Sequence, residues 1–218
     1  MEKNLVRIIN IDLKNRSEKI KKIGTLLRNG KIIVFPTDTV YGIGCDPFNI
    51  HAIKKIYELK RREDKKGLPV LIGTINKLKN FAFSNKRAEV LIENFWPGSL
   101  TLILKKKNKV PKLLTGNKDS IAIRHPNNKI TMAIAEEISS GGIVGTSANI
   151  SGETPPIEII EAIKFFGEKV DCYIDGGISS KKLPSTIVDM INFPPKLLRK
   201  GPISFSDIKK ILHEKNQW

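Results

Sequence analysis

The chain has 218 residues, of which 40% are hydrophobic and 28% are charged, and these values are typical of a globular protein with a sizeable core. The formal net charge of +16 indicates a polyanionic partner or substrate such as RNA, a nucleotide or phosphate, although a generally lysine-rich composition gives the same excess. Two cysteines are too few for a disulfide framework or a cysteine-rich zinc site, and no apolar run has the length of a signal peptide or a membrane span. We therefore expect a soluble protein of the reducing cytoplasm, without membrane contact.

Short β-branched runs alternate with longer helical periods along the chain, which indicates a mixed α/β architecture. The first predicted helix follows Ser17 and ends at Gly30, and the second begins after Asn49, a residue suited to cap a helix. The predicted helices cover about residues 17–30, 50–61, 85–95, 128–139, 156–166 and 206–213. The predicted strands cover residues 32–35, 69–72, 99–104, 121–124, 143–146, 173–175, 186–190 and 196–199. Because no repeat and no low-complexity linker interrupts this pattern, we predict one domain over residues 1–218.

The first segment that a hydrophobic core does not require is PTDTVYGIG, at residues 36–44. It directly follows a predicted buried strand, which is where open α/β sheets bind their ligands. Two threonine hydroxyls, one carboxylate and two conformationally permissive glycines lie within it. A capped turn after a strand uses the same residue types, so this segment indicates a site without specifying the ligand.

The second segment is the basic run KRREDKKG, at residues 60–67, at the end of the second predicted helix. Between Lys54 and Lys66 there are seven basic and three acidic residues. Positive charge is favourable at a helix C-terminus, so a solvated helix end is one interpretation. The other is a phosphate clamp, because the arginine fork binds two oxygens and lysine adds a point charge.

The third segment is GTSANISG, at residues 145–152, again after an apolar strand. Its short hydroxyl and amide side chains between glycines suit phosphate or adenine binding. The chain has no Walker A pattern, no GxGxxG after its first strand and no GxSxG nucleophile turn. A nucleotide bound here therefore needs a site of another kind than a P-loop or a Rossmann turn.

Taken together, these segments resemble the YrdC-like family. Seven blocks occur in that family's order: FPTDTVYGIGCD, LKRREDKKGLPVLI, FWPGSLTLIL, SIAIRHP, VGTSANISGETPP, PSTIVD and LLRKGPI. The resemblance covers about residues 17–204, and its most specific element is a KxR…SxN tetrad formed here by Lys60, Arg62, Ser147 and Asn149. It implies an α/β fold of the α+β type, with a twisted mixed β-sheet flanked by helices and a positively charged concave face.

The resemblance also implies an activity, that of a nucleotidyltransferase. Such proteins condense L-threonine, bicarbonate and ATP to threonylcarbamoyl-AMP and pyrophosphate. A separate threonylcarbamoyl transferase complex then modifies the tRNA adenosine next to the anticodon, so that contact with tRNA itself is expected to be weak or indirect. Mg²⁺ is expected to arrive on the ATP phosphates and not on protein side chains, and no organic cofactor is expected.

Residue roles follow from the resemblance position by position. The catalytic residues are expected to be the tetrad itself. Contacts with ATP are expected from Lys60, Arg62, Lys66, Ser120, Ser147, Asn149, Pro155 and Arg199, of which Pro155 offers only its carbonyl. Contacts with threonine are expected from Thr39, Arg124, Gly145 and Ser185. Arg124 suits the substrate carboxylate, because its fork matches two oxygens.

Two other functions stay open from the sequence alone. An RNA-binding or ribosome-assembly protein would explain the net charge and the six lysines between Lys105 and Lys118, which we expect to form an exposed loop or hairpin tip. Few aromatic residues are available there for base stacking. A carbamoyl-phosphate-handling domain of hydrogenase maturation proteins is the second alternative, but those proteins add acylphosphatase and zinc-finger modules that this sequence lacks.

Overall fold

The computed structural model of the protein describes residues 6–11, 15–179 and 183–216. Its helices are α1 (Arg16–Arg28), α2 (Ile50–Leu59), α3 (Lys86–Phe95), α4 (Lys129–Glu136), α5 (Ile159–Phe166) and α6 (Phe205–Glu214). Its first six strands are β1 (Ile8–Asn10), β2 (Ile33–Phe35), β3 (Gly42–Gly44), β4 (Val70–Ile72), β5 (Ala82–Phe83) and β6 (Leu100–Lys106). The others are β7 (Ser120–Arg124), β8 (Gly142–Val144), β9 (Thr146–Ser147), β10 (Cys172–Asp175), β11 (Thr186–Asp189) and β12 (Lys196–Arg199).

The strands form two mixed sheets. One has the order β1-β10-β2-β3-β9, and the other has the order β12-β11-β6-β7-β4-β8, with β5 paired to β6 at its side. Parallel pairs such as β11 with β6 stand beside antiparallel pairs such as β6 with β7. The predicted class, a mixed sheet architecture flanked by helices, is therefore confirmed.

Local sequence signals fix the starts of the helices. The side chains of Asn49, Asn85 and Asn128 accept hydrogen bonds from backbone N–H groups in the first turns of α2, α3 and α4. Each such bond satisfies one of the N–H groups that a helix start leaves without an intrahelical partner. Gly30, at a φ of +72°, follows α1, where a left-handed residue costs glycine little.

The larger sheet has two chemically different faces. Leu100, Leu102 and Leu104 of β6 are buried in the main hydrophobic core. The alternate residues Thr101 and Ile103 point to the opposite face, because successive side chains of a strand alternate. That second face forms the floor of a cavity, so the alternation in β6 separates a packing surface from a binding surface.

The two sheets approach each other closely between β3 and β8. The N–H of Val144 donates to the carbonyl of Cys45 at 2.9 Å, and an added Cβ at Gly44 would lie 1.8 Å from the carbonyl oxygen of Val144. Only glycine allows this distance between the backbones. The contact brings the segment after β2 beside the segment after β8, which are the first and third segments singled out in the sequence.

Most of the predicted elements occur within a few residues of their predicted bounds, but three strands were missed. These are β1, β3 and β5. The predicted strand 143–146 is interrupted at Gly145, and its two parts pair in different sheets. The Lys105–Lys118 stretch does connect the antiparallel strands β6 and β7, but Val110 and Leu114 within it are buried. Within the described residues, no helix is long and apolar enough to cross a membrane.

Candidate functional site

A cavity of 240 Å³, called here the Arg124 cavity, lies on the second face of the larger sheet. Its floor is apolar, with Leu71, Ile103, Ala122 and Ile187 from four neighbouring strands. Its polar wall holds the hydroxyl and guanidinium groups of Thr37, Thr39, Thr101, Ser185, Arg62, Arg124 and Arg199. The cavity therefore suits a small ligand that carries both a negative charge and an apolar group.

Arg124 is 4% exposed and is held on three sides. Its Nε donates to the carbonyl of Gly98 at 2.8 Å, its Nη1 to the Thr39 hydroxyl at 3.0 Å, and its Nη2 to the carboxylate of Asp38. Burial lowers the pKa of this arginine, while Asp38 raises it. A guanidinium has five N–H groups, and three are used here, so two have no partner among the described residues. The group is rigidly oriented and can still bind a carboxylate.

Ser185 links the cavity wall to Arg199. Its hydroxyl lies 2.7 Å from that of Thr101 and accepts from Nη2 of Arg199 at 3.0 Å, while its carbonyl accepts from Nε of Arg199 at 2.9 Å. Desolvation, followed by the positive charges of Arg124 and Arg62, lowers the pKa of Arg199 to about 10. The guanidinium groups of Arg124 and Arg62 thus repel that of Arg199 across this space, and a bound anion would relieve this repulsion.

A second cavity of 460 Å³, called here the Lys60 cavity, lies at the end of α2. It is lined by Lys60, Arg61, Arg62, Glu63, Lys66, Ser147, Asn149, Ser151 and Gly152. Nε of Arg62 donates to the carbonyl of Lys66 at 2.8 Å and Nη2 to that of Gly67 at 3.0 Å, so Arg62 closes the turn that carries Lys66. Burial lowers the pKa of Arg62. This cavity offers mostly cationic and hydroxyl groups, which suit phosphate.

Lys60 is 1% exposed, an unusual environment for a lysine. Its Nζ donates to the backbone carbonyls of Ser147 and Asn149, at 2.5 and 2.6 Å. Burial, followed by the charge of Arg62, lowers its pKa to about 7. The lysine of the tetrad therefore joins the end of α2 to the segment after β9.

Arg62 and Ser147 line both cavities. They mark the place where a ligand in one cavity meets a ligand in the other. Ser147 reaches this place because β9 pairs with β3, with Ser147 opposite Gly42. The first and third sequence segments therefore meet across two short strands, and the second segment adds Arg62.

The predicted site residues fall into three groups. Thr39, Arg124, Gly145 and Ser185, all predicted for threonine, line the Arg124 cavity, and so does Arg199, which was predicted for ATP. The four tetrad residues and Lys66 line the Lys60 cavity. Ser120 and Pro155 line neither cavity, although Ser120 shares a sheet face with Ala122 and Arg124 through strand alternation. The individual roles of all these residues stay predictions.

Comparison with known proteins places this chain in a family. The model of the Sua5/YciO/YrdC family, described as telomere recombination, matches residues 25–201. The chain belongs to this family. Threonylcarbamoyl-AMP synthase of Pyrococcus abyssi is 36% identical over 208 residues, which are 95% of this chain and 61% of that protein. A putative threonylcarbamoyl-AMP synthase of Methanocaldococcus jannaschii is 33% identical over 210 residues, 96% of this chain and 99% of that protein.

A solved structure of the Sua5/YciO/YrdC family agrees with the fold. The crystal structure of P. abyssi Sua5 complexed with L-threonine has a TM-score of 0.90 to this chain at 36% identity, and it covers 95% of this chain and 61% of that one. The chain thus spans about three fifths of the length of the P. abyssi protein and nearly all of the M. jannaschii protein. The resemblance seen in the seven sequence blocks is confirmed.

Sequence reasoning missed two residues at or beside the Arg124 cavity. Asp38 was noticed only as a carboxylate in the first segment, yet it pairs with Arg124. Thr101 was taken as part of a strand, although the alternation of leucines around it would have placed it on the other face. Leu71 packs so closely on Gly145 that an added Cβ would lie 2.4 Å from its Cγ. The packing of Leu71 therefore requires glycine at position 145, in addition to the predicted contact of Gly145 with the ligand.

Proposed function

We propose that the protein is an L-threonylcarbamoyladenylate synthase, which condenses L-threonine, bicarbonate and ATP to threonylcarbamoyl-AMP and pyrophosphate. Membership of the Sua5/YciO/YrdC family supports an enzyme of the nucleotidyltransferase type. The observation that carries the proposal is the junction of two cavities at Arg62 and Ser147. One cavity fits an amino acid, the other fits a phosphate chain, and the reaction joins two such groups.

In this proposal the Arg124 cavity binds threonine. The two remaining N–H groups of Arg124 receive the substrate carboxylate. The hydroxyls of Thr39 and Ser185 face the substrate hydroxyl, and the apolar floor with Leu71 and Ile103 receives the substrate methyl. The amine then stays free to react with bicarbonate, forming an N–C bond with loss of water to give a carbamate.

The Lys60 cavity binds the ATP phosphates in the same proposal. A carbamate oxygen attacks the α-phosphorus, and the bond to the departing pyrophosphate oxygen breaks. Because both reactants are anions, the main task of the protein is to hold them together and to compensate their charge. Arg62 stands at the junction for this purpose, Lys66 adds a charge further along, and Arg199 approaches from the threonine side.

The charged groups of the Lys60 cavity indicate how Mg²⁺ would be held. Apart from Glu63, its charged groups are cations, which fit phosphate and not a carboxylate cage for a metal. Within the described ranges, no group of three or more His, Cys, Asp or Glu residues is placed to hold a metal ion. Mg²⁺ would therefore be held by ATP oxygens, where it neutralises phosphate charge.

The product would serve the threonylcarbamoyladenosine modification of tRNA in the cytoplasm. We propose that a separate transferase complex takes the labile adenylate, and that any contact of this protein with tRNA is weak or indirect. The exposed lysines of the β6–β7 connection are the surface available for such a contact.

Pyrophosphate release from ATP by the purified protein should require both threonine and bicarbonate. Neither cavity alone contains the complete set of reacting groups, so omission of one substrate should leave only background release. The measurement is a coupled pyrophosphate assay with each substrate withheld in turn. ATP turnover of equal rate without threonine would refute the synthase activity and favour the carbamoyl-phosphate alternative, while RNA binding without any turnover would favour the RNA-binding alternative.

The order of amino-acid substrates should be threonine, then serine, then valine. Serine lacks only the methyl group, and one methyl on an apolar surface is worth about 10- to 200-fold in kcat/KM. Valine lacks the hydroxyl and would place a methyl group against the buried hydroxyls of Thr39 and Ser185, where it forms no hydrogen bond, and this loss should discriminate more strongly. Measured kcat/KM values decide the order. If valine equals serine, the hydroxyl is not recognised and the roles of Thr39 and Ser185 are wrong.

A further inference from the structure

In the segment from Ser147 to Glu153, called here the tetrad loop, several backbone carbonyls accept hydrogen bonds from the side chains of Lys60 and Asn149. Nζ of Lys60 donates hydrogen bonds to the carbonyls of Ser147 and Asn149. Nδ2 of Asn149 donates to the carbonyls of Ile150 and Glu153, at 2.9 and 2.6 Å. Four carbonyls of one short loop are thus bound by two members of the tetrad.

The loop is also fixed to α2 through the backbone. The N–H of Ser151 donates to the carbonyl of Lys60 at 2.9 Å. Both the backbone carbonyl and the side chain of Lys60 therefore bind the loop, and Lys60 is almost completely buried. By contrast, Arg62 and Ser147 line both cavities, and Arg62 keeps three of its five N–H groups after its two contacts with the turn.

We propose that the tetrad divides into two pairs: Lys60 and Asn149 are positioning residues that hold the tetrad loop in shape, and Arg62 and Ser147 are the members that contact the reacting groups. The contact of Arg62 and Ser147 with the reacting groups rests on the proposed function. The role of Lys60 and Asn149 in holding the tetrad loop rests on the hydrogen bonds alone. Lys60 acts in this arrangement as a hydrogen-bond donor, not as a charge on the phosphates.

The protonation state of Lys60 supports this role. A neutral amine has two N–H groups, and Lys60 donates to two carbonyls. These two hydrogen bonds therefore do not need the positive charge. The pKa of Lys60 is lowered to about 7 by burial and by Arg62. The other charged groups that line the same cavity are Arg61, Glu63 and Lys66. An uncharged amine would therefore still have the two N–H groups that the bonds to Ser147 and Asn149 require.

Three substitutions of Lys60 test whether the loop needs its hydrogen-bond donors or its positive charge. Lys60→Gln keeps two N–H groups on one nitrogen without a charge, Lys60→Arg keeps the charge on a group too large for the enclosure, and Lys60→Met keeps neither. Lys65→Gln is the matched control, because Lys65 is exposed in the same basic run. Melting temperatures establish which variants fold. The first readout is hydrogen exchange of the Ser151 and Glu153 amides in the protein without substrates. The second is the dissociation constant of Mg·ATP.

Loop protection should fall about tenfold or more in Lys60→Met and Lys60→Arg, and by less than about threefold in Lys60→Gln and the control. Mg·ATP affinity should follow the same order. In the unaltered protein, Mg·ATP affinity should change by less than about twofold between pH 7.0 and 8.5, although a pKa of about 7 removes most of the Lys60 charge over this interval.

Two results would overturn the proposal. One is unaltered loop protection in Lys60→Met. The other is a loss of about tenfold in Mg·ATP affinity of the unaltered protein as the pH rises through 7 to 8.5, which indicates an ionic contact with phosphate. A protein that binds no Mg·ATP at all would contradict the proposed function instead. Hydrogen exchange would still decide whether Lys60 holds the loop.

Discussion

Replacing Arg124 by lysine is expected to lower kcat/KM for threonine by about a hundredfold or more, which corresponds to about 2.7 kcal/mol of transition-state stabilisation. Lysine keeps a positive charge beside Asp38, so the buried carboxylate retains an ionic partner and the protein should fold. Lysine lacks the planar fork, however. It cannot bind the Gly98 carbonyl, the Thr39 hydroxyl and Asp38 at once and still offer two parallel N–H groups to a substrate carboxylate.

The control for this substitution is Arg28→Lys. Arg28 also uses two guanidinium nitrogens: Nη1 donates to the carbonyl of Glu137 at 2.6 Å and Nη2 to the Thr25 hydroxyl at 3.0 Å. Its side chain is exposed, however, and it lines neither cavity. Its kinetics should stay within about twofold of the unaltered protein, because exposed ion pairs contribute little. If Arg124→Lys folds and keeps its kcat/KM for threonine within about threefold, Arg124 does not bind the carboxylate.

Elements whose signals are local could be predicted from the sequence. The apolar spacing and the Asn49 cap of α2 lie within a dozen residues of one another, and the structure has both. Helix caps and apolar periodicity act over one or two turns, so the sequence contains them directly.

Strands β3 and β9 have the opposite character. β3 is Gly-Ile-Gly, and glycine is depleted in strands, while β9 has only two residues and was predicted only as the end of the preceding strand. They form because Gly42 lies opposite Ser147, more than a hundred residues away in the chain. The break at Gly145 has a similar origin, since the side chain of Leu71 occupies the space that a Cβ would need. Pairing partners of this kind are set by the tertiary fold.

The candidate site also has some features that the sequence predicts and others that depend on the fold. The residue types and glycine spacing located all three segments, and the resemblance joined them into one family. The environment of Lys60 could not be predicted, because a lysine in a basic run at a helix end is usually solvated. Its burial depends on the carbonyls of Ser147 and Asn149, which only the fold brings to it. The pairing of Asp38 with Arg124 across 86 positions has the same explanation.

Arg62→Ala is expected to lower kcat/KM for ATP tens- to hundreds-fold, or about 2–4 kcal/mol, because it removes a charge-assisted contact from a partly desolvated junction. The structure places Arg62 between the two cavities, where the carbamate meets the α-phosphate in the proposed reaction. Its loss should therefore weaken the transition state more than the binding of either substrate alone. We expect the effect mainly on kcat, with a smaller rise in KM for ATP.

The choice of control decides what this result means. The neighbour Arg61 is unsuitable, because it has a φ of +48° and lines the same Lys60 cavity. Lys65 is exposed and lines neither of the two cavities, so Lys65→Ala removes one positive charge from the same run without touching the junction. If only the summed positive charge of the segment mattered, both alanine variants would lose similar activity and both losses would shrink with added salt. A loss specific to Arg62, at equal melting temperatures and in high salt, shows instead that the Arg62 guanidinium itself is needed at the junction.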